Sequence, residues 1–216
     1  MPKKINDIIN YFDEILPNAS CELNYHEDFE LLIAVILSAQ TTDKSVNEVT
    51  PILFKKYPTP KDLSNASLND VENIIKSIGL YHNKAKNIIE TCKVLDEKYQ
   101  GRVPRDFKAL CSLKGVGVKT ANVVMAELFK VPCIAVDTHV SRCSKRLGLA
   151  KNDDDPIKIE QRLEKMIPIE RQILFHHQMI HFGRYYCLAK NPKCEECKLC
   201  NYCSYYKKQS NIKIKN

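Results

Sequence analysis

The sequence has no long apolar run. Its longest, residues 31–37, falls well short of the ~20 residues that a helix needs to cross a bilayer, so it reads as a buried helix and no membrane partner is expected. The start, MPKKINDIINYFDEI, has neither the apolar core nor the small-residue cleavage site of a secretory signal, which leads to the expectation of a cytoplasmic protein. Alternating strand patterns are also missing. Pieces such as Ile134-Ala135-Val136 are too isolated to build a sheet. Low-complexity linkers and internal repeats are absent too, so any two domains pack closely. What remains is an all-α globular chain of about ten helices, with 216 residues for one or two domains and an ordinary 44% hydrophobic content.

Charge is present but uneven. Of the formal net +7, the stretch from Arg184 onward carries eight Lys/Arg against only Glu195 and Glu196, while the first 183 residues are almost balanced. A basic C-terminal face suits a polyanion, although a solvated lysine-rich end has the same composition.

Ten cysteines are many for this length. Cys21, Cys92, Cys111, Cys133 and Cys143 are scattered among apolar neighbours and read as small buried hydrophobes. The other five, Cys187, Cys194, Cys197, Cys200 and Cys203, crowd into one short segment. Without a secretory signal such a cluster points to a metal rather than to disulfides. The x6, x2, x5 spacing of Cys187, Cys194, Cys197 and Cys203 supplies four thiolates, which suit structural zinc or an iron–sulfur cluster, and spacing alone leaves the two open. Cys200 adds further x2 spacings on either side. The loop between the first two ligands would present Lys190 and Lys193 to phosphate at reduced entropy cost, or merely keep itself soluble.

Along the chain, helical periodicity predicts an amphipathic helix over residues 3–16 and an apolar one from Phe29 toward Gln40. Thr42 or Asp43 should cap the next helix, with Pro51 as a kink, and Ser67 with Asp70 resembles a capping box. A helix from His82 to Tyr99 follows, with Gly101 past its end. Asp106 opens a short helix that leads into a glycine turn, and further helices follow Asp137, Asp155-Pro156 and Pro168.

That turn, LKGVGVKTANVV at 113–124, organises the rest. Gly115 and Gly117 can expose successive backbone N–H groups to an anion at a helix N-terminus, with Thr120 just behind. Lys119 at the helix start is a phosphate clamp, a solvated lysine or an amine whose charged form the helix dipole disfavours. Asp137, in AVDTHVSR at 135–142, is a helix cap, a catalyst or both.

These motifs, with LSAQTTD (37–43), IGLYHNKAKNII (78–89) and the cysteine spacing, run in order across most of the chain and resemble the endonuclease III family of helix-hairpin-helix DNA glycosylase/AP lyases. The resemblance implies an all-α fold with a helical-barrel domain at 22–132, holding the hairpin at about 106–130. It implies a discontinuous iron–sulfur cluster domain from 1–21 and 133–216, with the active-site cleft between the domains. A 4Fe-4S cluster is then favoured over zinc, bound by Cys187, Cys194, Cys197 and Cys203, with Cys200 an extra thiol. The implied activity is excision of oxidised pyrimidines from double-stranded DNA by a monomer, with β-elimination at abasic sites and a nucleoid-associated location.

On the same resemblance Lys119 is the Schiff-base lysine and Asp137 the carboxylate beside the developing sugar cation. Gln40 and Leu80 would plug and wedge the gap left by the flipped base, against the plainer readings of a helix-end glutamine and a core leucine. His139 would approach the DNA backbone, whereas Arg142 fits a solvated arginine equally. Lys114 where proline is common, Val118 where a polar residue is, and Cys111 where some relatives have an acid are departures outside the proposed chemistry. The competing classes are a non-catalytic DNA-binding module, a monofunctional glycosylase without the lysine, and an electron carrier. Lys119 with Asp137 goes unexplained by the first, the lysine itself disfavours the second, and the basic surface without redox partner motifs disfavours the third.

Overall fold

The computed structural model describes residues 2–213, and among these it is helical throughout, with no strand. Among the described residues no helix is long and apolar enough to cross a membrane. The chain forms two compact units. One is Glu22–Lys130; the other runs up to Cys21 and resumes at Val131. α1 (Lys3–Ile15) opens the discontinuous unit, burying the face Ile5, Ile8, Ile9 and Phe12.

The unit Glu22–Lys130 is built around α2 (Asp28–Leu37), which is buried at every position after Asp28. Each fully buried Leu or Ile there contributes ~1.5–3 kcal/mol of transfer free energy. α3 (Asp43–Lys56) follows, capped by Thr42, whose hydroxyl accepts from the Ser45 amide at 3.2 Å, with Pro51 inside it. One turn of helix, α4 (Pro60–Ser64), is set by Thr59 as cap and Pro60 in the first turn. Next come α5 (Leu68–Ile75), α6 (Tyr81–Tyr99), α7 (Phe107–Ser112) and α8 (Val118–Phe129). α3, α6 and α8 pack on α2.

The expected capping box at Ser67 does not form. Asp70 is drawn away to accept from the Tyr57 hydroxyl and from Lys56 Nζ at 2.6 Å, a charge-assisted pair stronger than a backbone cap. A capping box forms instead at Glu27 and Glu30, opening α2.

The discontinuous unit resumes with α9 (Thr138–Arg146) and α10 (Pro156–Met166), whose cap Asp155 accepts from the Lys158 amide at 2.9 Å. A 3-10 turn at Ile169–Arg171 then leads into α11 (Gln172–Tyr185). Phe12 of α1 packs its ring, tilted, against Phe175 and Phe182 of α11, at centroid distances of 5.7 and 5.0 Å. Asp13 accepts from Gln178 Nε2 at 2.9 Å and pairs with Arg171. These contacts explain why the first helix belongs with the last third of the chain.

Beyond α11 lies the cysteine segment, with 3-10 turns at Cys194–Glu196 and Cys200–Tyr202, and then α12 (Ser204–Lys213). α1 fastens this segment too, through Glu14 to Lys198, Asp7 to the Tyr202 hydroxyl, and the Tyr11 hydroxyl to the Glu196 carbonyl at 3.3 Å. Lys215 of the basic tail lies outside the described residues.

Candidate functional site

The hairpin is two helices joined by residues 113–117. Asp106 caps α7 by accepting from the Ala109 amide at 2.7 Å, and Gly117 is the extended residue before α8. Gly115 alone takes the left-handed conformation, at φ +78°. A Cβ there would also stand 3.0 Å from Ile36 and 3.1 Å from the Asn87 amide, so glycine is required by conformation and by space. Gly117 has φ −94° and nothing within 4 Å of where a Cβ would be. Its value is open room above the backbone, not a special φ.

Leu113 and Val116 are buried under the turn, and Thr91 donates from its hydroxyl to the Lys114 carbonyl at 2.9 Å. The missing proline at 114 is thus offset by an anchor that the sequence did not advertise. Lys119 is exposed in the first turn of α8, and Thr120 is half-buried beside it.

A second cluster lies in the same unit. Gln40 and Leu80 both have left-handed backbones, at φ 54° and 60°, and Leu80 is 58% exposed. The core-leucine reading of Leu80 is therefore wrong. An apolar side chain in solvent, on a backbone that costs ~1–2 kcal/mol for a non-glycine residue, is an expense the fold itself does not need. The two turns are neighbours, since a Cβ at Gly79 would sit 4.0 Å from the Gln40 carbonyl oxygen.

Lys84, which the sequence reading passed over, ties them. It is 4% exposed, donates to Thr41 Oγ1 at 2.6 Å, and its pKa is lowered by burial. The available signal was its position on the buried stripe of α6, one residue before Ala85 and one turn before Ile88.

In the discontinuous unit Asp137 is half-buried and caps α9, accepting from the Val140 amide at 2.7 Å. His139 lies in the first turn of α9, with its pKa lowered by burial, and by Arg142 and Arg184 against the opposing pull of Asp137. Arg142 is not solvated. Its guanidinium donates to the Gly183 carbonyl at 2.7 Å and to the Cys187 carbonyl at 3.1 and 3.2 Å, and its Nη2 lies 3.3 Å from His139 Nδ1. Gly183 has no room for a side chain here, because a Cβ would come within 2.7 Å of the His139 Cβ.

Five cysteines, 187, 194, 197, 200 and 203, line one solvent-open hollow together with Phe182, Tyr186 and Tyr205. Among the described residues no three such side chains converge tightly on a single point. The Cys187 thiol is held below its ordinary pKa by a hydrogen bond with Cys143 and by Arg146 and Arg142, against the opposing effect of burial. Cys143 is consequently more than the small hydrophobe expected of it.

Arg146 was also missed. It donates to Cys187 Sγ at 3.3 Å and to the Leu188 and Ala189 carbonyls at 2.7 and 3.1 Å, with its guanidinium over the Tyr205 ring. These bonds fix the path of the loop that presents Lys190 and Lys193. Both lysines are exposed, and Lys193 Nζ stands 5.6 Å over the Tyr186 ring.

A helix-hairpin-helix unit and a basic, cysteine-lined unit define a class. Residues 33–169 match the model of the HhH-GPD superfamily of base excision DNA repair proteins, and the chain belongs to that family. Within it, the chain is 49% identical to endonuclease III of Bacillus subtilis over 197 residues, covering 91% of this chain and 90% of that protein. Its fold is similar to a trapped endonuclease III–DNA covalent intermediate, an estranged-adenine complex, with TM-score 0.92 and 50% identity over 97% of this chain and 100% of that one. It is likewise similar to a non-covalent endonuclease III–DNA complex, with TM-score 0.93 and 50% identity over 98% and 100% of the two chains.

Proposed function

We propose that this protein is a base-excision repair enzyme, a DNA glycosylase that removes oxidised pyrimidines from duplex DNA and cleaves abasic sites by β-elimination. The observation that carries the reading is Lys119, an exposed primary amine in the first turn of the helix behind a glycine turn built to meet a backbone phosphate. A lysine amine can attack the sugar C1′, expel the base and go on to a Schiff base, which hydroxyl and carboxylate nucleophiles cannot. Once the Schiff base forms, loss of a C2′ proton breaks the C3′–O bond and cleaves the strand 3′ to the lesion. Asp137 supplies the carboxylate that stabilises positive charge on the sugar as the base departs. Its one backbone bond, through Oδ1, leaves Oδ2 available for that role.

Gln40 and Leu80 fill the gap left by the extruded base, a role supported by their left-handed backbones and by the exposure of Leu80. Gly115, Gly117 and Thr120 meet the phosphate, with His139, Lys190 and Lys193 as further backbone contacts. Duplex DNA with a damaged pyrimidine or an abasic site is then the substrate, the enzyme works as a monomer, and its place is with the nucleoid. On this reading Glu22–Lys130 is the barrel domain and the other unit the cluster domain.

The hollow suits a 4Fe-4S cluster held by Cys187, Cys194, Cys197 and Cys203. Four thiolates lining one hollow fit such a cluster, and kinship with endonuclease III favours it over zinc. The cluster supplies a structural cross-link when bound. With Cys187 and Cys194 as two of its ligands, the Lys190–Lys193 loop would be fixed at both ends.

Borohydride reduction of enzyme with a thymine-glycol duplex tests the reading. Wild type should give a covalent adduct and Lys119→Gln none. Trapping by Lys119→Gln at the wild-type level would remove the lysine from the mechanism.

A further inference from the structure

Five cysteines ring the hollow, and the cluster reading uses four. We propose that the fifth, Cys200, is a stand-by ligand that takes the iron position of Cys197 when that thiolate is lost. The inference rests on the cluster reading above and concerns a residue to which that reading gives no task.

Cys200 lines the same hollow as the other four and is only half-buried. Its Sγ points into the ligand loop, donating to the Cys197 carbonyl at 3.0 Å and the Cys194 carbonyl at 3.2 Å. Cys197 is therefore its immediate neighbour. Spacing permits the exchange: Cys200 lies three residues from Cys197 and three from Cys203, so the set 187, 194, 200, 203 keeps a chelating x2 pair. Thiol hydrogen bonds are weak, so what holds Cys200 back is two weak bonds and a rotation between staggered χ1 wells.

In the exchange the Cys200 S–H bond breaks, its proton goes to water, and the sulfur lone pair makes the bond to the iron that Cys197 has left. No electron changes hands. The other nearby thiol, Cys143, cannot serve in this way, because it is fully buried in the core of its unit and hydrogen-bonded with Cys187.

The test compares iron per chain and visible charge-transfer absorption in wild type, Cys200→Ala, Cys197→Ala and the double variant, each purified as the full chain. Cys200→Ala should match wild type, Cys197→Ala should keep at least about half of the wild-type iron, and the double variant should fall about tenfold or more. Alkylation mapped by mass spectrometry gives a second readout. Cys200 should label in wild type and become protected in Cys197→Ala. The proposal is overturned if Cys197→Ala is as iron-poor as the double variant, is insoluble, or leaves Cys200 open to alkylation. Wild type without iron would instead refute the cluster reading beneath it.

Discussion

Asp137 has two jobs that one substitution can separate. As a cap it gives a single hydrogen bond to the Val140 amide, and asparagine caps as well as aspartate. Asp137→Asn should therefore keep the unfolding free energy within ~0.5 kcal/mol while base excision falls by ~10²-fold or more, since the neutral amide cannot balance charge on the sugar. Asp137→Ala should lose activity and also ~1 kcal/mol of stability. Denaturant unfolding beside single-turnover excision reads both, and an Asn variant with full activity would leave Asp137 only a cap.

Leu80 invites the opposite expectation. Its left-handed φ and 58% exposure mean that Leu80→Gly relieves strain, so stability should rise by ~1 kcal/mol while excision from duplex DNA slows. Cleavage of a single-stranded abasic oligonucleotide, where there is no gap to fill, should hardly change.

His139 should titrate below its ordinary 6.5, because burial disfavours the imidazolium. With a folded pKa below the unfolded one, its contribution to stability is complete above about 6.5 and declines as pH falls below that value. An NMR titration midpoint at or above 6.5 would contradict this. With the ring uncharged at neutral pH, any contact with a phosphate would be a hydrogen bond and not a charge pair.

At the scale of elements, the hairpin separates two glycines that look alike in the sequence. Gly115→Ala must place a Cβ on a left-handed backbone and 3.0–3.2 Å from Ile36 and Asn87. It should cost ~2–4 kcal/mol, strain and overpacking together, and lower the melting temperature by several degrees. Gly117→Ala meets nothing, so its melting curve should stay at wild type while its DNA affinity drops, because the methyl group occupies the room a phosphate would use. A comparable fall in stability for both would mean that Gly117 is structural after all.

Most of these elements were legible because their signals are local. Asp106, Asp137 and Asp155 all cap the helices they were expected to open, and each bond spans three residues. What was not legible depends on partners far along the chain. Asp70 left Ser67 for Tyr57 and Lys56, Arg142 reached across to Cys187, and Cys143 met the same residue. α12 has no apolar stripe to announce it. Leu80 stood between a wedge and a core leucine because a leucine after glycine at the head of a helix is usually core, and only its exposure excludes the second reading.

The chain carries most of its net charge from Arg184 onward, and that asymmetry has a quantitative consequence. Lys190 and Lys193 sit on a loop bounded by Cys187 and Cys194 and held along its carbonyls by Arg146, so they are presented to a polyanion with little freedom left to lose. Each phosphate contact releases condensed counterions, and each lysine lost should reduce the slope of log affinity against log salt by about 0.9. Lys190→Gln with Lys193→Gln should therefore flatten that slope by roughly two and weaken binding to damaged and undamaged duplexes alike, because phosphates carry no lesion information. Arg146→Lys should have much the same effect on affinity without removing a charge, since a single ammonium cannot hold the Cys187, Leu188 and Ala189 acceptors together. Fluorescence anisotropy across a salt series distinguishes the two cases. The lysine pair changes the slope; the arginine, if it only positions the loop, lowers affinity and leaves the slope closer to wild type. An unchanged slope in the double lysine variant would place the phosphate contacts elsewhere on the basic surface.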